Sequence, residues 1–176
     1  MIFNFRHLSN IFFFRLGISN KTKILKFGLP DFFDNSHDFN SGLYTSKNVN
    51  SRFDTEECRV TSLDSFLDFI NTKELMVEYI KIDIEGSEFE AINGSTKLLE
   101  NYSPVIQMEY NPDANSKIEL IKIINHLRPF HYFAYKIKSS EVENHGYEVF
   151  FIKNDSLDIF LKDDEFNNKF EPALVD

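Results

Sequence analysis

Apolar residues along this chain recur with two periods, two and about 3.6, and the period in force at each stretch predicts the element there. Ile11–Ile18 reads as a buried strand closed by the polar turn at Ser19, Asn20 and Lys21, and Ile24, Leu25 and Phe27 read as a second short strand. From Pro30 to Asp54 the chain is rich in Asn, Asp, Ser and Gly, which predicts a long loop. Cys58–Thr61 is the next strand. It leads into a helix on which Leu63, Phe66, Leu67 and Ile70 share a face, with Ser62 or Asp64 placed to cap its start.

Strict alternation resumes at Glu78–Ile84: Ile80, Ile82 and Ile84 point one way, Tyr79, Lys81 and Asp83 the other. Glu85-Gly86 then turns the chain into a helix, with capping-box spacing between Ser87 and Glu90 and Gly94 as its end. Ser95–Glu100 adds a turn or two, and Pro104–Glu109 is the next strand. Ile118, Ile121, Ile124 and Leu127 predict an amphipathic helix that must stop before Pro129. Phe130–Lys138 and Tyr147–Lys153 are strands joined by a polar turn. The tail after Asn154 mixes apolar residues with many acids and fits neither period. From Cys58 the order is strand, helix, strand, helix, strand, helix, strand, strand. That order predicts one α/β domain over residues 1–176, with a mostly parallel sheet closed by an antiparallel C-terminal strand pair and 154–176 as a tail.

Composition narrows the function. With 19 Lys and Arg against 28 Asp and Glu, the net charge of −9 argues against a general phosphate-backbone binder, so no nucleic acid is expected as partner. The single Cys58 excludes an intramolecular disulfide and a multi-cysteine zinc site. The aromatic opening is broken by Arg6 and Arg15, and Ile11–Phe14 is too short for a membrane span or a signal-peptide core. A cytoplasmic location is the expectation.

Candidate chemistry gathers where open α/β sheets bind ligands, beyond the carboxyl ends of strands. Asp83, Glu85 and Glu88 surround one strand-to-helix turn, and Glu109, followed by Asn111, ends the next strand. If those strands are neighbours, Asp83 and Glu109 face one cleft. Carboxylates there can deprotonate a hydroxyl, hold a cation or accept hydrogen bonds from a cofactor. Acids near a helix start are also favoured by the macrodipole alone, which accounts for Glu88 and Glu90 without any catalysis. Lys81, two residues from Asp83 on the same face, reads as its ion-pair partner or as a catalytic lysine on a sheet expected to be covered on both faces. Gly86 reads as a position needing a special backbone conformation or close approach. The five histidines lack metal-ligand spacing, and Asp83-x-Glu85 alone is a thin basis for a metal site, so no metal is expected.

The run from Thr61 to Phe66, the run from Tyr79 to Gly94 containing Lys-Ile-Asp-Ile-Glu-Gly-Ser-Glu, and Pro104–Glu109 together resemble the FkbM family of methyltransferases. Leu63-Asp64, Lys81, Asp83, Glu85-Gly86, Glu88, Gly94 and Glu109 match its pattern in order and spacing, and the resemblance spans residues 11–153. It implies a class I, Rossmann-like methyltransferase fold and an enzyme that uses S-adenosylmethionine (SAM) to O-methylate a sugar or secondary-metabolite hydroxyl. It also implies roles for residues. Asp83 and Glu109 would be catalytic. Asp83, Glu85 and Gly86 would line the cofactor, and Glu88 and Asn111 the substrate pocket, with a small molecule or glycan as acceptor. In this family a glycine-rich SAM loop and a ribose-binding acid precede these segments. The first strand–helix units are therefore expected to be missing here. The aromatic N-terminal segment would then pair within a homo-oligomer, bind a complementing protein partner or stay exposed. The alternative to an enzyme is a non-catalytic or partner-completed interaction module.

Overall fold

The structure is a computed structural model that describes residues 10–28, 55–70, 76–84, 86–110, 114–138 and 147–173. The loop expected over 30–54 and the turn before Tyr147 lie outside these residues. Among them, the strands form two sheets. The smaller has β3 (Thr55–Thr61) at its centre, with β1 (Gly17–Ile18) parallel on one side and β2 (Lys23–Gly28) antiparallel on the other. The larger runs in the order β4 (Tyr79–Ile82), β5 (Val105–Tyr110), β7 (Tyr147–Lys153), β6 (Tyr132–Ile137), β8 (Phe170–Pro172).

This corrects the expected sheet. Only β1–β3 and β4–β5 pair in parallel, while the other four pairings are antiparallel, so both sheets are mixed rather than mostly parallel. The reason is connectivity: β5 takes β7 as its second neighbour, and β7 returns from the β6 hairpin in the opposite direction. The antiparallel pair β6–β7 is present as expected. Of the strand expected over Ile11–Ile18, only Gly17 and Ile18 pair. Ile11–Phe14 lie in non-regular backbone with their side chains exposed, and Phe14 is tethered to α1 (Leu63–Ile70) by an edge-to-face contact with Phe66 at 4.9 Å.

Successive residues of a strand face opposite ways, and the large sheet uses both faces. On one, Ile82, Ile106, Met108, Val149 and Phe151 pack against Ala91 and Ile92 of α2 (Glu88–Asn93), Leu98 and Leu99 of α3 (Thr96–Asn101), and Leu120, Ile123 and Leu127 of α4 (Ala114–Leu127). The buried stripe of α4 is therefore 120, 123, 124 and 127, while the expected Ile118 and Ile121 are exposed. Both sets have helical spacing, and the sheet selected the one containing Leu120. α4 stops at Leu127 and a 3₁₀ turn carries Pro129. The tail is an ordered part of the fold. α5 (Asn154–Phe160) and α6 (Asp164–Lys169) place Leu157, Phe160 and Phe166 on the other face, against Tyr135, Ile152 and Val105, and β8 pairs with β6.

A seam joins the small sheet and α1 to the large core. Ile18 and Leu63 pack on that core. A Cβ at Gly94 would lie 2.7 Å from the Ser19 carbonyl oxygen and 2.9 Å from both the Asn20 Cα and the Ser62 Cβ, so only glycine lets these segments approach. Ser62 caps α1, its Oγ accepting from the Ser65 N–H at 3.1 Å. Asp64 does something else: its carboxylate accepts from the Lys97 and Leu98 N–H groups at 3.0 Å each, capping α3 from outside.

Candidate functional site

The parallel pairing of β4 and β5 settles the geometry that the sequence left conditional. Lys81 pairs with Gln107 and Ile82 with Met108, so Asp83 and Glu109 are the next residues of two adjacent strands. Glu109 in turn pairs with Glu148 of β7. Three carboxyl-bearing residues therefore lie across three neighbouring strands. Like charges placed directly opposite are destabilising unless a cation intervenes. Lys81 supplies one, with its Nζ 3.8 Å from Asp83 Oδ2 and 3.7 Å from Glu148 Oε1. The Lys81 and Asp83 side chains are 49% and 44% exposed, which corrects the expectation of a face covered on both sides. In that setting the pair contributes at most about 1 kcal/mol. The second oxygen of Glu148 is buried without a hydrogen-bond partner among the described residues.

A cleft of about 80 Å³ opens here, lined by Asp83, Gly86, Glu88, Glu109, Tyr110 and Glu119 among others. Its floor is apolar, from Met108, Leu120, Ile123 and Val149. The structure thus brings together four of the six residues to which the resemblance gives catalytic, cofactor or pocket roles, Asp83, Gly86, Glu88 and Glu109. The other two, Glu85 and Asn111, lie outside the described residues. Gly86 has φ +92 with no atom of the described residues within 4 Å of a notional Cβ, so conformation rather than space selects glycine there. Tyr110 packs on Tyr147 with ring centres 4.8 Å apart, and burial, with help from neighbouring Tyr110, pushes the Tyr147 hydroxyl up from its ordinary value against the opposing pull of Lys136.

Two features differ from the sequence reading. Ser87 makes no side-chain cap to α2, so the expected capping box is not formed. Glu88 instead folds back onto the turn, accepting from the Ile84 and Gly86 N–H groups, and Glu119 of α4 accepts from the Phe89 N–H at 3.1 Å. Glu119 and Glu148 were missed because the first depends on which face of α4 meets the cleft and the second on which strand lies beside β5. The alternation of Glu148 with Val149 was the one local signal. Among the described residues no group of three or more His, Cys, Asp and Glu side chains is gathered closely enough to hold a metal ion. Nor is any described helix long and apolar enough to cross a membrane.

The family model of the methyltransferase FkbM domain matches residues 4–153. The chain belongs to the FkbM methyltransferase family. No curated protein and no solved structure matches the chain. The match to the FkbM domain takes in every residue of the cleft named above and stops at the end of β7, so α5, α6 and β8 lie beyond it.

Proposed function

We propose that this FkbM domain is a SAM-dependent O-methyltransferase acting on a hydroxyl of a sugar or secondary metabolite, in the cytoplasm. The observation that carries the reading is the convergence of Asp83 and Glu109, from adjacent parallel strands, on one cleft with an apolar floor. The donor set suits the cofactor at one end: carboxylates complement a sulfonium cation and accept from ribose hydroxyls, and Gly86 leaves open space beside them. When bound, SAM supplies an electrophilic methyl group. The chain's own part is to hold the acceptor and take its proton. Asp83, half exposed at the strand end, accepts a hydrogen bond from the acceptor hydroxyl and serves as its base. Lys81, its Nζ 3.8 Å from Asp83 Oδ2, places a positive charge beside that carboxylate. Glu109 orients the acceptor from the next strand. Glu85 and Gly86 belong to the cofactor side, and Glu88 and Asn111 to the wall of the acceptor pocket.

Calorimetric titration with SAM and S-adenosylhomocysteine tests this. Binding that D83A weakens without unfolding the chain supports it, and a folded protein that binds neither ligand at millimolar concentration rejects it. A partner-completed module is the second reading, favoured by Phe12, Phe13 and Phe14, which are 76%, 58% and 51% exposed. Light scattering and co-purification, repeated with Phe12 and Phe13 changed to Ser, distinguish a self-associating or partner-bound chain from a monomer.

A further inference from the structure

The turn that carries the chain from β4 into α2 is held in an unusual way. Helix starts leave N–H groups without intrahelical partners, and a serine before the first turn ordinarily satisfies one of them. Ser87 has φ −121 and ψ 16 and makes no such bond. Glu88, the first residue of the helix, points backward instead. Its Oε1 accepts from the Ile84 N–H at 3.1 Å and its Oε2 from the Gly86 N–H at 3.0 Å. The two oxygens of one carboxylate thus hold the Ile84 and Gly86 amides, and Gly86 has φ +92. Asp83 is the residue immediately before this clamp. Glu119 reaches from α4 to the Phe89 N–H, fixing the residue immediately after Glu88. Both braces line the same cleft as Asp83.

We propose that Glu88 is a positioning residue: its carboxylate, engaged by backbone on both oxygens, fixes the Ile84 and Gly86 amides and thereby the direction in which Asp83 enters the cleft. This rests on the reading of Asp83 as the cleft's working carboxylate. The clamp needs two acceptor oxygens. A glutamine offers one, because its amide nitrogen only donates, and an aspartate is a methylene shorter and loses one of the two contacts. E88Q and E88D therefore release Ile84 or Gly86 while leaving the helix its first residue.

The test uses the full chain, labelled with nitrogen-15 and carbon-13, as wild type, E88Q, E88D, D83N and E88Q/D83N. Amide hydrogen exchange at Ile84 or Gly86 is expected to speed up by about tenfold in E88Q, the equivalent of one lost charge-assisted bond, with exchange at Leu99 and Ile106 unchanged. Affinity for S-adenosylhomocysteine is expected to fall in E88Q and in D83N. The double variant should bind no more weakly than D83N, because Glu88 acts through Asp83. Losses that multiply in the double variant would overturn the proposal, as would unchanged exchange at both amides. If E88Q does not fold, E88D takes its place in each comparison. If the wild type binds no S-adenosylhomocysteine, the proposed function fails, and the carboxyl carbon-13 shift of Asp83 decides the positioning claim. Movement of that shift in E88Q, with Glu109 still, supports the claim, and no movement refutes it.

Discussion

Replacing Asp64 with alanine removes a cap from a helix to which Asp64 does not belong. Its two oxygens accept from the Lys97 and Leu98 N–H groups at 3.0 Å each, and its own N–H donates to the Gly94 carbonyl at 3.1 Å. The residue that would ordinarily cap α3, Ser95, is committed elsewhere, its Oγ donating to the Ile92 carbonyl at 2.6 Å. Hydrogen bonds to a charged group contribute about 1.5–3 kcal/mol when shielded, and loss of a cap costs about 0.5–2 kcal/mol. The Lys97 bond is exposed and the Leu98 bond half-buried, so D64A is expected to cost about 2 kcal/mol, near the top of the capping range. D64N keeps one acceptor oxygen and should cost about half of that. Urea unfolding followed by far-ultraviolet circular dichroism reads both. With a slope of about 1–3 kcal/mol per molar, the D64A midpoint should fall by about 1 M. A D64A loss below about 0.5 kcal/mol, the ordinary range for a surface change, would refute the argument that Asp64 staples α1 to α3.

Three further outcomes follow from the same structure. G94A should destabilise by about 1–3 kcal/mol, because the added carbon meets the Ser19 and Asn20 backbone rather than a yielding side chain; a neutral result in urea would contradict the seam. Y132F should cost about 1–3 kcal/mol by stranding the Pro104 carbonyl, to which the buried Tyr132 hydroxyl donates at 3.0 Å, and thermal unfolding checks it. His126 lies between Phe89 and Phe130 with Nε2 buried and without a hydrogen-bond partner among the described residues, and burial lowers its pKa from the ordinary 6.5. The unfolded chain then takes up the proton first. The stability contributed by neutral His126 is full above 6.5 and is lost as pH falls from there toward the depressed value. Midpoints of wild type minus H126F should stay flat above neutrality and decline below it, and a difference that does not vary with pH would reject this account.

Period and punctuation made much of the fold legible. The alternation of Tyr79–Ile84 foretold which residues face the core, since Ile82 is buried while Lys81 and Asp83 are exposed. Pro129 stopped α4 where the missing N–H requires. Pairing partners were not legible. Nothing local says that β5 takes the hairpin strand β7 beside it, and that choice turned an expected parallel sheet into a mixed one and put Glu148 next to Glu109. The two possible apolar stripes of α4 have the same spacing, so only the facing sheet could select Leu120 over Ile118 and Ile121. At the site, the strand-end carboxylates were visible because the chemistry sits beside a turn. Glu119 was not, because its contribution passes through the backbone of another helix.

The two sheets divide the chain at one place. Among the described residues every strand pairing of the small sheet lies at or before Thr61, and every pairing of the large sheet lies at or after Tyr79. No ladder of hydrogen bonds therefore couples their opening. What couples them is the seam at Gly94 and the Asp64 staple, together with the packing of Ile18 and Leu63. Such an arrangement is expected to open as two cooperative units of different depth, which amide hydrogen exchange would read. The small sheet can open and reclose while β5 and β7 stay protected, and the amide protons of β3 would exchange through that partial event rather than through global unfolding. Weakening the seam would then lower the free energy of the partial opening first, loosening one end of the molecule while the cleft between β4 and β5 keeps its shape.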